Sequence, residues 1–220
     1  MNTDLQAEFV DLYKKLGLVD YSNLFISDGI INDELCNKQK IKILFIAKEH
    51  NKLNREYEDN PSYSDWWKQH VMYTFSHRIS EWAYGISNNF PPYAEAQDAD
   101  RKHEALKSIA FINVKKVCGG SSSNSAIIGE YIIKTRSLLL RQIQEIAPTI
   151  IICCFKYNWF VEALFGVENV NTASNDWGFY TWKGINIVNY FHPSSRKSKL
   201  ALYDGLREAV RFLDTYSGAE

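Results

Sequence analysis

A histidine that ends an apolar run and is followed by proline, serines and basic residues is the clearest candidate for chemistry in this chain. The segment reads Tyr190-Phe191-His192-Pro193-Ser194-Ser195-Arg196-Lys197. The mostly apolar residues before it predict a strand, and Pro193 forbids a helical continuation, so the imidazole is held at the edge of a sheet. An imidazole N–H fixed there can stabilise negative charge that grows on a leaving group. The serines and cations that follow suit an exposed loop meeting an anion. Two other apolar runs end in polar residues of complementary type. Glu49 lies in Ala47-Lys48-Glu49-His50-Asn51, and Asn113 lies in Phe111-Ile112-Asn113-Val114-Lys115-Lys116. A carboxylate after a buried strand can hold water against an electron-poor carbon. An amide offers a donor beside an acceptor, which matches the edge of a heterocyclic base.

The elements that must position these residues can be read from periodicity. Residues 5–16 carry apolar positions at helical spacing, and Gly17 is placed to end that helix. Residues 41–47 read as a buried strand followed by a polar loop over 48–60. A helix-rich aromatic stretch over 64–85 is broken by Asn88-Asn89-Phe90-Pro91-Pro92, and a polar-faced helix over 94–107 follows. Residues 108–114 form the second strand, 127–146 the longest helix, 149–155 the third strand, 158–164 a short helix, 185–190 the fourth strand and 201–216 a closing helix. Apolar strands alternating with helices predict a three-layer α/β/α sandwich around a central, mainly parallel four-stranded sheet. In such sheets sites lie beyond the carboxyl ends of the strands, which directs attention to the loops after Ala47, Val114, Phe155 and Tyr190.

With 220 residues, 45% of them hydrophobic and 23% charged, the chain is expected to form one soluble domain over 1–220. The formal net charge of −1 gives no global field for nucleic acid, so any such contact must come from a local basic patch. Aromatic residues reach 14%, enough for a bulky core and also for faces on which bases stack. The amino terminus lacks a basic segment followed by an apolar one, and no apolar run reaches membrane-span length, so a cytoplasmic protein is expected. Cys36, Cys118, Cys153 and Cys154 form no CxxC pair. Neighbouring strand cysteines point to opposite faces, so buried thiols are expected rather than a metal site.

Taken together, the three polar segments resemble the uracil-DNA glycosylase superfamily. Its first motif follows the first core strand in forms such as G-Q-D-P-Y, G-I-N-P-G or G-E-A-P-G. Glu49 falls where two of these place the residue that positions the attacking water. Ala47 replaces the first glycine, His50 replaces the proline, and Lys48 stands where the third form has its glutamate. Asn113 resembles the asparagine of the T-N-x-V-K-C-R-P-P and L-L-L-N segments, which implies that it reads a flipped base. His192-Pro193-Ser194 resembles the H-P-S motif, implying that His192 stabilises the departing base. Arg196 falls at the wedge position, as in H-P-S-P-R. Ser194, Ser195, Arg196, Lys197 and Lys199 would contact DNA, with Lys115 and Lys116 as further phosphate contacts. The resemblance also asks for an aromatic floor beneath the base. Tyr57, Tyr63, Trp66, Trp67 and Phe75 lie in the right region; no spacing selects among them, and Trp66 is taken as the candidate. The cysteine spacing of the branch that carries an iron–sulfur cluster is missing, so no cluster, other cofactor or metal is expected.

What the resemblance implies is excision of uracil, or a related deaminated base, from DNA by hydrolysis of the N-glycosidic bond. Two rivals remain at the level of sequence. One is a glycosylase-like fold that binds nucleic acid or a nucleotide without hydrolysis. The other is a hydrolase of free nucleosides, which needs the same three groups but no basic loop. Convergence of Glu49, Asn113 and His192 on one pocket big enough for a pyrimidine would favour the enzyme; a Glu49 pointing to solvent while Asn113 and His192 still converge would leave binding and weaken hydrolysis. The patterns of P-loop NTPases, dinucleotide-binding folds, zincins and α/β-hydrolases are missing from the chain.

Overall fold

The computed structural model describes residues 3–18, 25–51, 61–120, 122–167, 174 and 176–216. Six strands form one mixed sheet: β1 (Gly29–Ile30), β2 (Ile43–Asn51), β3 (Ala110–Gly119), β4 (Ile150–Cys153), β5 (Gly178–Trp182) and β6 (Ile185–Asn189). Their order is β1-β3-β2-β4-β6-β5. The four central strands run parallel, whereas β1 pairs with β3 and β5 with β6 in antiparallel fashion.

Apolar side chains on both strand faces are what demand helices on both sides. On one face Phe45, Ala47, Phe111, Ile152 and Val188 are buried under α3 (Tyr63–Gln69), α4 (Tyr73–Ser87), α6 (Ala99–Lys107) and α9 (Lys199–Tyr216). On the other, Leu44, Ile46, Ile112, Ile151 and Ile187 meet α1 (Thr3–Lys15), α7 (Ser125–Ile146) and α8 (Asn158–Phe165). Two short helices, α2 (Asp33–Asn37) and α5 (Tyr93–Ala96), complete the described elements. Among the described residues no helix is long and apolar enough to cross a membrane.

The sheet departs from the four-stranded expectation at both edges. Lys183 and Gly184 have φ of 50° and 75°, the pair of positive values that a two-residue hairpin turn requires, so β5 folds back on β6. The Lys-Gly turn and the alternating Gly-Phe-Tyr-Thr-Trp segment before it are legible signals for this extra strand. At the other edge, β1 pairs only Gly29 and Ile30 with Phe111 and Ala110, too short a run for a periodicity to mark it.

The strands that carry Glu49 and Asn113 also continue past their expected ends. β2 runs to Asn51 and β3 to Gly119, with Ala47 opposite Asn113 and Glu49 opposite Lys115. Both residues therefore sit inside a parallel ladder rather than in loops beyond it. The charged residues that mimic a loop in the sequence find partners within the fold. Lys116 Nζ reaches Asp28 Oδ1 at 2.7 Å and Gln142 Oε1 at 2.7 Å, with both ion-pair side chains fully buried. Lys115 pairs with Glu49. Neither lysine is available to phosphate, which corrects that part of the sequence reading.

Candidate functional site

Strand β6 ends at Asn189, and the chain is anchored at once by Tyr190, whose buried hydroxyl donates to the Leu202 carbonyl at 2.9 Å. The following turn is closed by its own backbone: the Ser195 N–H donates to the His192 carbonyl at 2.8 Å. A second clamp comes from α4. The Arg78 guanidinium, 6% exposed, donates from Nη1 to the carbonyls of Pro193 at 2.6 Å and Ser195 at 2.5 Å, and from Nη2 to that of Lys197 at 3.3 Å. One planar cation thus collects the carbonyls of the whole turn, which its fork of donors suits.

The loop presents His192 in one protonation state. Burial, with the Lys48 charge second, pushes the imidazole down to about 4, so the ring is neutral near pH 7. Its Nδ1 accepts from the Ser194 N–H at 3.2 Å, which leaves the proton on Nε2. Nε2 has no partner among the described residues and is a ready donor.

His192 lines a cleft of about 570 Å³ with Lys48, Phe155, Lys156, Tyr157, Phe191, Ser195, Arg196 and Lys197. The walls hold lysine, arginine, aromatic rings and a serine, and no carboxylate. Lys48 lies over the Tyr157 ring at 5.6 Å, and burial lowers its pKa from the ordinary lysine value. Lys197 lies 4.2 Å from the Phe191 centroid and meets Asp176 at the rim at 2.8 Å. Lys156 adopts a left-handed backbone, φ 67°, at the end of the β4 segment, where its N–H donates to the Tyr190 carbonyl at 3.0 Å. Such an arrangement attracts a ligand that is anionic and flat.

The remaining sequence candidates fall in two places. Asn113, 2% exposed, is held by its backbone N–H on Asp28 Oδ2 at 2.8 Å and by its Nδ2 on the Tyr63 hydroxyl at 3.2 Å. That hydroxyl also meets His50 Nδ1 at 2.7 Å, and burial pushes His50 to about 4. Asn113 Oδ1 is left without a hydrogen-bond partner among the described residues. Phe75 connects this cluster to the histidine loop, lying 5.3 Å from His192 and 5.7 Å from Phe111, which in turn packs 4.6 Å from Tyr63. Trp66 is instead beside His50 and Tyr63, at 5.2 and 5.3 Å between centroids. Of the aromatic candidates, Phe75 is the one that reaches His192, while Tyr57 lies outside the described residues.

Glu49 goes elsewhere. Its side chain is 6% exposed, paired through Oε2 with Lys115, and so close over Gly119 that a Cβ added there would stand 2.0 Å from its carboxyl carbon. Adjacent positions on β2 point apart, and it is Lys48 that faces the His192 cleft. Ser194 and Lys199 are exposed and do not line the cleft, whereas Ser195, Arg196 and Lys197 do.

Three contributors escaped the sequence reading. Lys156 and Tyr157 follow the third strand, in the one strand-end loop that offered no familiar motif; a lysine between aromatic residues was the available signal. Arg78 binds backbone carbonyls more than a hundred residues away, and nothing local marks it. Among the described residues no group of His, Cys, Asp and Glu is arranged to hold a metal ion. No protein-family model and no curated protein matches the chain.

Proposed function

We propose that the chain is a divergent, cytoplasmic base-excising hydrolase of the uracil-DNA glycosylase type, acting on uracil or a related deaminated base in DNA. The observation that carries this reading is His192: a neutral imidazole, its Nε2–H unoccupied, in a cationic and aromatic cleft beyond the carboxyl ends of parallel strands. As the bond from the sugar to the base breaks, its electron pair passes to the base and charge gathers on a carbonyl oxygen. A fixed N–H donor stabilises that charge without transferring a proton, and Lys48, Arg196 and Lys197 add to the field. Water then adds to the electron-poor sugar carbon, and the base leaves carrying a proton. Asn113 stands apart from this cleft: it is buried on β3 with its Oδ1 unpartnered among the described residues, and it is not among the residues that line the cleft.

A second reading, binding without hydrolysis, is favoured because the three groups do not converge: Glu49 is paired with Lys115, and neither it nor Asn113 lines the cleft with His192. The test is a strand-cleavage assay at high enzyme concentration on single- and double-stranded oligonucleotides containing uracil, hypoxanthine or xanthine. Abasic product that is lost in His192→Ala is the expected result. No product on any substrate, with binding retained, would replace hydrolysis by the binding reading.

A further inference from the structure

Because Glu49 is turned toward Lys115, no carboxylate among the described residues lines the cleft to activate water. The cleft does contain an amine in a setting that suits bond formation. We infer that Lys48 is a nucleophile that bonds to the aldehyde of an abasic deoxyribose, so that the protein breaks a DNA strand where a base has been lost. The inference rests on the nucleic-acid reading of the cleft above but not on its power to excise a base.

The lysines that line the cleft differ in their surroundings. Lys197 is paired with Asp176 at 2.8 Å, and Lys156 is exposed. Lys48 is half-buried, with its Nζ 5.6 Å from the Tyr157 centroid and 5.9 Å from that of Phe160, and it has no ion-pair partner among the described residues. Burial is the largest influence on its pKa and lowers it, and the Lys156 charge acts the same way against the raising effect of Glu49 and Cys154. A desolvated lysine beside a second cation is the setting in which an amine gives up its proton and attacks a carbonyl. His192 supplies the complement. The Lys48 charge is felt at its ring, and its unoccupied Nε2–H can stabilise the oxygen of a carbonyl under attack.

At an abasic site the deoxyribose opens to an aldehyde at C1′. The neutral Lys48 nitrogen adds there and the C=O electron pair moves to oxygen. That oxygen takes protons and leaves as water, giving a protonated imine. C2′ then gives a proton to water, its electron pair forms the C2′–C3′ double bond, and the C3′–O bond breaks with its pair leaving on the phosphate. Water hydrolyses the imine and returns the amine. These steps need no oxidant or reductant.

Sodium borohydride reduces such an imine to a stable amine, which turns the intermediate into a covalent protein–DNA adduct. The full chain is incubated with an oligonucleotide whose abasic site was made beforehand by acid depurination, so excision by this protein is not required. With borohydride an adduct should form, and mass spectrometry of its peptides should place it on Lys48. Without borohydride the strand should break, leaving a 5′-phosphate on one fragment and an unsaturated aldehyde on the other. Lys48→Arg keeps the positive charge but has no nucleophilic amine, so it should still bind the abasic oligonucleotide and lose both adduct and cleavage. An adduct spread over other lysines, an adduct kept in Lys48→Arg, or no adduct at all would overturn the inference. Peptide mapping of the unaltered protein decides the matter even if the variant is unstable. Excision is judged separately with the uracil oligonucleotides above. An adduct without excision leaves Lys48 as the nucleophile and removes the glycosylase reading, whereas excision without an adduct removes only this inference.

Discussion

Arg78 offers the sharpest test of how the histidine loop is held. Replacing it by methionine keeps much of the apolar stem and removes every donor. Two short charge-assisted bonds are lost, to Pro193 O at 2.6 Å and Ser195 O at 2.5 Å, with a longer third to Lys197 O at 3.3 Å. Hydrogen bonds to charged groups contribute about 1.5–3 kcal/mol each, so the two short ones set an upper range of about 3–6 kcal/mol. Water recovers part of this, because Ser195 is only half-buried and Lys197 is exposed. The guanidinium Nε already lacks a partner, so its loss costs nothing further. The expected net destabilisation is about 2–4 kcal/mol, a fall in melting temperature of roughly 5–15 °C for a chain of this size. The second readout is local. A loosened turn hydrates His192, and its titration should climb from about 4 toward the ordinary value of 6.5. NMR titration of the His192 ring protons in Arg78→Met and Arg78→Lys, beside urea denaturation, measures both. Arg78→Lys retains the charge but one point of donation, so it should lie between wild type and Arg78→Met. A loss below about 1 kcal/mol with His192 still titrating near 4 would refute the clamp.

Two further outcomes follow from the buried ionisable groups. His50 and His192 are both pushed to about 4 in the fold from an ordinary 6.5, so the unfolded chain binds more protons between those values. Their contribution to stability is therefore present above pH 6.5 and is lost as pH falls toward 4, on the order of 3 kcal/mol for each histidine. Comparing urea midpoints of wild type and His192→Gln at pH 7 and 4.5 isolates the His192 share, and parallel slopes would contradict it. By the same neutral imidazole, His192-dependent activity or binding should show no break near pH 6.5. In the Asp28–Lys116 pair, Asp28→Asn leaves a fully buried ammonium without its counter-charge and should cost about 3–5 kcal/mol. It should also loosen Asn113, whose N–H rests on Asp28. The double variant Asp28→Leu/Lys116→Met should recover most of the stability in chemical denaturation but not the Asn113 anchor; a double variant as unstable as the single one would refute this account.

Local pattern was enough to read several parts of this fold. Apolar runs and helical spacing placed the four parallel strands and the long helices, because burial on both faces requires such runs. A proline after a strand-terminal histidine marked the His192 loop, because proline restricts its neighbours whatever surrounds them. Elsewhere distant partners override the local signals, and the outcome depends on how the chain folds. Glu49 and Asn113 look like strand-end residues because polar side chains follow them. Yet β2 and β3 run on, since Lys115 and Lys116 find buried acids at Glu49 and Asp28. Which of two neighbours faces the cleft, Lys48 or Glu49, follows from strand register, and no composition encodes it. The charge of Arg78 was visible from the start, but its use was not. Its acceptors are backbone carbonyls, identical in every residue, and only folding brings them within reach.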